Sequence, residues 1–189
     1  MAMAWKWSAL GGVPWCAWRR RGVACVGSVL LGTAGGCEEP HGAGDIDQHV
    51  IMGAARVIDG DGLQVGEVEV RLAGIDACEI EQTAEGPTGE WPCGLVARDR
   101  LEALTAGRDV TCLTQGVDLH DRQLARCYVG KQELGPTMLR EGLAVAYRYG
   151  GQPTVKAFTE HGLTARREQR GLWAGEFEEP RAFRSRNRR

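Results

Sequence analysis

The sequence predicts a mixed fold, mainly β with some α (α+β). We expect a closed five-stranded barrel of the OB type, covered by about three helices. Three observations predict it. The 189 residues suffice for one domain and are few for two. Five short segments have the character of strands and are separated by turn signals. One helical pattern falls between the third and fourth strands, and further helical patterns follow the last one.

Three strands come first. Residues 54–58 are predicted as a short strand that ends in the Asp-Gly-Asp-Gly turn at 59–62, where glycine tolerates the backbone angles of a tight turn. The next two strands are 63–65 and 67–75. In the latter, apolar residues occupy every second position over part of its length. The turn and the alternation together indicate a hairpin.

A loop and a helix follow, and then the remaining elements. Residues 77–93 contain Gly-Pro and Trp-Pro pairs and are predicted to form an irregular loop. Residues 94–106 have apolar side chains at helical spacing, with Gly107 as a C-terminal stop. The later elements are strands at 109–114 and 122–129 around a turn at 116–121, a short helix at 136–141, an extended segment at 143–149 and a longer helix at 155–169.

Charge is distributed unevenly along the chain. The whole sequence has 23 basic and 25 acidic residues. The first 37 residues hold four basic residues and no acidic one, and the last nine hold five arginines. Residues 38–180 therefore carry 14 basic against 25 acidic residues. Because affinity for nucleic acid comes largely from Lys and Arg neutralising phosphates, this acidic body argues against tight constitutive binding. A nucleic-acid enzyme with this balance needs a bound cation and a few well-placed arginines.

The N-terminus has the pattern of an export signal. Three arginines at 19–21 precede an apolar stretch that is long enough for a secretory signal and too short for an ordinary transmembrane helix. The stretch ends in Ala-Gly-Gly-Cys, which resembles a bacterial lipobox, so lipidation of Cys37 and ordinary signal-peptidase cleavage are both open. A twin-arginine signal and an uncleaved anchor are further alternatives. We expect export to the periplasm, the cell envelope or the medium.

These signals give a predicted organisation in four segments. They are a signal peptide or lipoprotein signal at 1–37, a polar linker at 38–53, the barrel domain at 54–174 and a basic tail at 175–189, most simply disordered. We expect a monomer and infer no protein partner.

The cysteines are consistent with export. The chain has seven, and four of them lie in the predicted domain: Cys78, Cys93, Cys112 and Cys127. An even number in an oxidising compartment favours two disulfides, and no C-x-x-C spacing points to zinc. Cys112 and Cys127 flank the 116–121 turn and could face each other in a cross-strand disulfide. Two buried free thiols are the alternative there.

Three carboxylates lie close to turns. Asp61 and Asp76 are at strand ends beside small residues, where their side chains are free to converge. Two aspartates with a backbone carbonyl and waters make an oxygen shell suited to Ca²⁺ or Mg²⁺. Glu79 could then hold and deprotonate an attacking water. The alternative is that the Asp-Gly pairs are only turn formers and that Glu79 is a solvated loop residue.

Two arginines could bind a phosphate. Arg71 lies in the predicted strand 67–75, where it either forms a weak surface ion pair with Glu67 or Glu69 or grips a phosphate with its planar fork. Arg122 begins a strand after a turn. Its neighbour Asp121 could neutralise it, or it could stabilise charge that develops on a phosphate.

Five ordered motifs carry a resemblance to a known family. The segments VIDGDG, RLAGIDACE, DLHDRQLA, LREGLAVAY and ARREQRGLW resemble the thermonuclease, or staphylococcal-nuclease-like, family over about residues 54–174. The resemblance implies an OB-fold enzyme that cleaves phosphodiester bonds in DNA and RNA with Ca²⁺ or another divalent cation. It implies that Asp61, Asp76 and the carbonyl of Ala77 bind the cation, that Glu79 is the general base, and that Arg71 and Arg122 bind the phosphate.

The departures from the family pattern concern the turns. Gly62 and Ala77 replace Thr, and Cys78 replaces the proline of the Asp-x-Pro-Glu turn, which removes a fixed φ angle before Glu79. Exported members of the family often carry a disulfide near this turn, so the resemblance implies that Cys78 pairs with Cys93. His120 and Asp121 replace Tyr-Gly before Arg122.

The resemblance also implies a preference for single-stranded substrate and products that end in a 3′-phosphate. Tyr147 and Tyr149 could stack on bases or pack against the protein. The second hypothesis is a non-catalytic OB-fold binding module of the cell envelope. The retained charged set favours the nuclease.

Overall fold

The computed structural model describes residues 49–188. The predicted signal and Cys37 lie outside these residues. Within 49–188, no helix is long and apolar enough to cross a membrane.

The first three strands form an antiparallel series. They are β1 (Val50–Val57), β2 (Gly62–Val65) and β3 (Val68–Leu72). β1 begins inside the segment that was predicted to be a linker ending at residue 53, so that boundary is wrong. The reason is tertiary: Val50 and the next four residues pair with β7, and this partner strand is distant in sequence.

The strand predicted at 67–75 is divided into two. Gly74 has a φ of 83°, which ends β3 and redirects the chain into β4 (Ile75–Ala77). β4 leaves the first sheet and pairs with a later strand, and all three of its residues are buried. The acidic turn after it is therefore attached to a well-packed strand.

Next comes a small hairpin in the segment predicted to be irregular loop. It consists of β5 (Ala84–Gly86) and β6 (Gly89–Trp91). The helix α1 (Cys93–Thr105) follows and confirms the predicted helix to within one residue. It buries Ala97, Leu101 and Leu104 against the strands, which accounts for the apolar spacing in its sequence.

Two long strands then close the barrel. β7 (Asp109–Val117) and β8 (Gln123–Val129) are antiparallel, and β8 also runs parallel to β3, with Val70 opposite Gln123. The sheet order β3-β2-β1-β7-β8 thus returns to β3, and the short strand β9 (Gln132–Glu133) pairs antiparallel with β8. The predicted five-stranded closed barrel is confirmed.

The rest of the described chain is mainly helical. In order, it contains α2 (Leu134–Arg140), β10 (Ala144–Ala146), β11 (Arg148–Tyr149), β12 (Gln152–Pro153), α3 (Lys156–Arg167), a 3₁₀ turn (Gly171–Ala174) and α4 (Pro180–Asn187). Residues 49–188 therefore hold four α-helices, where about three were predicted. α4 lies in the segment predicted to be a disordered tail, so that expectation is wrong.

Two hydrophobic clusters organise the domain. The larger one fills the barrel and the space under α1 and α2, with residues such as Leu63, Leu101 and Met138 fully buried. A smaller one surrounds the Cys78–Cys93 disulfide. The second predicted disulfide, Cys112–Cys127, joins directly opposed residues of β7 and β8. Both pairings are thus confirmed.

Candidate active site

The two acidic turns lie against each other. The backbone N–H of Ala77, at the end of β4, donates to Oδ2 of Asp61 at 2.9 Å. A Cβ on Gly60 would lie 2.6 Å from Cβ of Ala77 and 2.8 Å from Cβ of Ala97, which is closer than real Cβ atoms approach. Glycine at position 60 therefore allows the first turn to pack directly on β4 and α1.

The first turn is also held by its own side chain. Oδ1 of Asp59 accepts the backbone N–H of Asp61 at 3.0 Å, which is an Asx-type turn. A Cβ on Gly62 would come within 2.8 Å of the same oxygen. A threonine at 62 would thus require Asp59 to move, so the glycine and the aspartate at these positions are coupled. Asp59 shapes the turn that presents Asp61.

Arg71 bridges the two turns. Its Nη1 donates to Oδ1 of Asp61 at 2.7 Å and its Nη2 donates to Oδ1 of Asp76 at 2.8 Å. It does not form the alternative ion pair with a glutamate of its own strand. In β2, Gly62 is directly opposite Arg71, so no side chain blocks it from that neighbour. The side chains of Asp61 and Asp76 are only 5% and 3% exposed, so this network is largely removed from water.

Burial dominates the electrostatics of this group. Burial raises the pKa of Asp61 to about 7, although the positive charge of Arg71 opposes this shift; Asp59 and Asp76 add to it. Burial alone would lower the pKa of Arg71, but Asp61 and Asp76 outweigh it, so the arginine stays charged. Asp61 is thus a buried carboxyl whose ionisation is unfavourable, and an added cation beside it would stabilise its charged form.

Glu79 follows β4 in a turn that is fixed from two sides. Cys78 is joined to Cys93 at the start of α1, and a Cβ on Gly94 would lie only 1.7 Å from the carbonyl oxygen of Glu79. The N-terminus of α1 therefore packs directly on the backbone of the glutamate. Its side chain remains 31% exposed, so its carboxylate can meet a solvent molecule.

Gln82 is a supporting residue that the sequence did not suggest. It is 1% exposed, and its Oε1 accepts the backbone N–H of Glu79 at 3.2 Å. Its backbone N–H donates to the carbonyl of Glu79 at 2.9 Å, and its Nε2 donates to the carbonyl of Glu178 at 2.7 Å. A glutamine in a polar loop carries no signal of burial, so only its tertiary contacts identify it.

Arg122 is held within its own turn. Its Nε donates to Oδ2 of Asp118 at 2.8 Å and its Nη2 lies 2.7 Å from the same oxygen. The neutralising partner is therefore Asp118 and not Asp121, whose positive φ of 60° belongs to the turn. Burial would raise the pKa of Asp118, but its hydrogen bonds from Arg122 and His120 hold that pKa below its usual range.

The structure brings five of the six predicted site residues together, among them Ala77, and leaves Arg122 apart. Asp61, Arg71, Asp76 and Glu79 are linked in one network, in which the last member is joined through Arg184. Arg122 precedes Gln123, which is paired with Val70 beside Arg71. The start of β8 thus lies next to the strand that carries Arg71, while the guanidinium of Arg122 is bound to Asp118.

Arg184 of α4 is the second residue that sequence reasoning missed. Its Nη1 donates to Oδ1 of Asp76 at 2.9 Å and to Oε1 of Glu79 at 2.7 Å, and its Nη2 donates to Oδ2 of Asp76 at 2.9 Å. Burial would lower its pKa, but its hydrogen bonds to these two carboxylates raise it. The only signal in the sequence was the high arginine content of the C-terminal segment.

The donor set fits a hard divalent cation. Asp61 and Asp76 are buried carboxylates, a type of ligand that Ca²⁺ and Mg²⁺ prefer, and the backbone N–H of Ala77 donates to Asp61. No group of three or more His, Cys, Asp or Glu side chains within residues 49–188 could hold a metal by itself. A cation here would therefore need main-chain and water oxygens as well.

The two tyrosines have different surroundings. Tyr149 is 75% exposed on β11, which makes core packing the wrong alternative for it. Tyr147 is partly buried, and its backbone N–H donates to the carbonyl of Gly74 at 2.9 Å. Base stacking by Tyr149 stays a prediction.

Comparisons with known proteins agree with this geometry. A sequence model of the family described as "Staphylococcal nuclease homologue" matches residues 69–175, more than half of the chain. The chain is 35% identical over 132 residues to a protein named micrococcal nuclease from Shigella flexneri, covering 63% of this chain and 71% of that protein.

Two further relatives carry endonuclease names. The chain is 30% identical over 139 residues to a probable endonuclease LCL3 from Arthroderma otae, covering 66% of this chain and 48% of the relative. It is 30% identical over 125 residues to an uncharacterized endonuclease from Haemophilus influenzae, covering 63% and 64%. The chain thus spans about half the length of the first of these and nearly two thirds of the second. With the barrel, the acidic turns and these matches together, the chain belongs to the staphylococcal nuclease homologue family.

Proposed function

We propose that this chain is a divalent-cation-dependent nuclease that hydrolyses phosphodiester bonds in DNA or RNA, with Ca²⁺ as its cation. Its family membership supports phosphodiester hydrolysis as the reaction. One observation carries the proposal for the site: Asp61, Arg71 and Asp76 converge in a buried network, which Arg184 joins to the more exposed Glu79. We call Asp61, Arg71, Asp76 and Glu79, with Asp59, the acidic pocket.

Three carboxylates of the acidic pocket have different proposed roles, as cation ligands or as a base. Asp61, Asp76 and the carbonyl of Ala77 are the proposed ligands. A cation bound there would neutralise charge on the phosphate of the substrate. Glu79, more exposed than the two aspartates, is the proposed general base that takes a proton from the attacking water. The disulfide and Gln82 hold its backbone in place, so its carboxylate is aimed without the proline of the usual turn.

The arginines bind the phosphate. A guanidinium has five N–H donors, and the two hydrogen bonds from Arg71 to Asp61 and Asp76 use two of them. The remaining donors are the ones proposed to bind phosphate oxygens. Arg122 adds a second positive charge from the neighbouring strand end, once its side chain exchanges Asp118 for the substrate. Both would stabilise the negative charge that develops during attack on phosphorus.

Export is part of the proposal. Two disulfides within the described domain suit an oxidising compartment. The predicted signal at 1–37 and the option of a lipid on Cys37 lead to a periplasmic, envelope-bound or secreted monomer. Nucleic acid is the proposed partner, and no protein partner is required by the site.

A digestion assay on the full chain tests the function. We expect cleavage of single-stranded DNA and RNA with Ca²⁺ and none with a chelator. Glu79→Gln should lower kcat by about 10²- to 10⁴-fold, because it removes the proposed base. Glu81→Gln is the matched control, since it makes the same charge change at an exposed residue of the same turn, and it should leave the rate within about twofold.

Two results would overturn the proposal. Binding of nucleic acid without cleavage under Ca²⁺, Mg²⁺ and Mn²⁺ would indicate the non-catalytic OB-fold module. Equal activity of Glu79→Gln and Glu81→Gln would show that Glu79 is not the general base.

A further inference from the structure

The acidic pocket contains a cationic side chain from outside the part of the chain that matches the family. The match ends at residue 175, whereas Arg184 lies in α4 (Pro180–Asn187). Its guanidinium takes both carboxylate oxygens of Asp76 and one of Glu79. These two residues are a proposed cation ligand and the proposed base, so Arg184 engages the atoms that the reaction would need.

The chain before α4 is fixed to the same side of the domain. Gln82, which holds the backbone of Glu79, donates its Nε2 to the carbonyl of Glu178 at 2.7 Å. The backbone N–H of Glu85 donates to the carbonyl of Glu176 at 2.8 Å. These contacts place the start of α4 beside the acidic pocket, so Arg184 reaches it from a defined direction.

Few contacts hold the helix itself: apart from those of Arg184, Nη1 of Arg181 donates to the carbonyl of Arg148 at 3.4 Å. Within α4 only Pro180 is buried, and the side chain of Arg184 is 24% exposed. An eight-residue helix is too short to be stable alone in water, so its order depends on its contacts with the domain. Removing the guanidinium from Asp76 and Glu79 would therefore loosen α4 while the anchored segment before it stays in place.

A divalent cation bound at Asp76 would compete with this guanidinium, because both are positive and Arg184 already takes both carboxylate oxygens of Asp76. We propose that α4 is an internal inhibitor: Arg184 occupies the acidic pocket in the cation-free protein and leaves Asp76 and Glu79 when a divalent cation binds. This inference depends on the proposed function, because it assigns the cation to the acidic pocket.

Calorimetric titration of the full chain with Ca²⁺ alone measures the competition. We expect Arg184→Ala to bind Ca²⁺ with a Kd about tenfold lower than that of the unmodified protein, because the competing charge is absent. Arg184→Gln, which keeps a hydrogen-bonding side chain, should act in the same direction. Arg188→Ala is the matched control: it removes one positive charge from an exposed residue at the end of α4 and should change Kd by less than about twofold.

Hydrogen exchange supplies a readout independent of affinity and activity. We expect saturating Ca²⁺ to speed amide exchange in residues 181–187 of the unmodified protein, since the released helix is unstable alone. Residues of β7 and β8 should be unaffected and serve as the internal reference.

The outcomes separate this inference from the proposed function. If the chain binds Ca²⁺ and cleaves nucleic acid but Arg184→Ala gains no affinity, the inhibitor is refuted and the nuclease stands. An equal gain in Arg188→Ala, or unchanged or slower exchange in α4 at saturation, would refute it as well. If no variant binds Ca²⁺ or cleaves, both proposals fail.

Discussion

The acidic pocket and the β7–β8 hairpin are built from similar parts in different ways. Each has one arginine predicted to bind phosphate and lies beside one disulfide that spans 15 residues of sequence. In the hairpin the contacts are local: Arg122 pairs with Asp118, four residues earlier, and the disulfide joins directly opposed residues. In the acidic pocket the contacts join residues that are distant in sequence: Arg184 contacts Asp76 across 108 residues.

This difference determines how the two regions respond to change. The hairpin contacts form as soon as β7 and β8 pair, so they depend little on the rest of the domain. The acidic pocket needs β4, α1 and α4 to be in place. The carboxylates reflect this: burial raises the pKa of Asp61 to about 7, whereas hydrogen bonds within its turn lower that of Asp118. Substitutions in the acidic pocket should therefore lower both stability and activity. Substitutions in the hairpin should change one of these quantities much more than the other.

The largest effects on activity are expected from replacing Arg71 and Arg122, each in a separate variant, by lysine. Arg71→Lys keeps the charge but loses the fork that bridges Asp61 and Asp76, so kcat/KM should fall by about 10²- to 10³-fold. The free energy of unfolding should fall by about 1–3 kcal/mol, because a buried carboxylate loses a hydrogen bond. Nuclease assays and urea unfolding measure the two quantities.

Arg122→Lys is the counterpart in the hairpin. Its loss of stability should stay below about 1 kcal/mol, because the ion pair with Asp118 is local and partly exposed. Its kcat/KM should still fall, by about tenfold or more, if it contacts the phosphate. A larger loss of stability in Arg122→Lys than in Arg71→Lys would contradict the comparison.

Removing either disulfide should have an effect of intermediate size, and the two disulfides can be compared directly. Because both close loops of the same length, the chain-entropy model gives each about 3 kcal/mol of stabilisation. We expect the double variants Cys78→Ser/Cys93→Ser and Cys112→Ser/Cys127→Ser to lose similar stability by urea unfolding. Only the first should lose activity well below its unfolding temperature, because its crosslink fixes the turn of Glu79.

If the hairpin variant loses as much activity as the Cys78 variant while both remain folded, the special role of the crosslink at the acidic pocket is wrong. The assay should therefore be run at several temperatures below both transitions, so that unfolding does not mimic a loss of catalysis.

The smallest expected effect is that of Asp118→Asn on the pH dependence of stability. The folded-state pKa of Asp118 is lowered, so its contribution to stability is present above the unfolded pKa, near 3.8, and is lost as pH falls through the lower folded value. Asp118→Asn should remove this part of the acid sensitivity and cost less than about 1 kcal/mol at neutral pH, a loss that salt further reduces. Urea unfolding between pH 3 and 7 measures it, and an unchanged pH profile would contradict the assignment.

Much of the barrel could be predicted because its signals are local. The Asp-Gly-Asp-Gly turn, the alternation in β3 and the helical spacing of α1 each lie within one short segment. The start of β1 at Val50 could not be predicted, since its partner β7 is distant. The division of the strand at Gly74 depends on a backbone angle that glycine permits but does not require.

The candidate site was predictable to a similar extent. Turn chemistry and family resemblance predicted Asp61, Asp76 and Glu79 as candidate site residues, and the structure brings these three together. Turn chemistry and resemblance could not identify Gln82, because its burial comes from α1 and the C-terminal segment. Arg184 was missed for the same reason: an arginine-rich end without apolar periodicity resembles a disordered tail until its partner carboxylates are known.

A crystal structure of the full chain with Ca²⁺ would test the central claim most directly. Anomalous scattering from the ion locates it independently of the protein atoms. We predict an anomalous peak within coordination distance of the carboxylates of Asp61 and Asp76, with the guanidinium of Arg184 displaced from both Asp76 and Glu79. A fully loaded crystal whose only peaks lie elsewhere, with Arg184 still bound to Asp76, would contradict the account of this site.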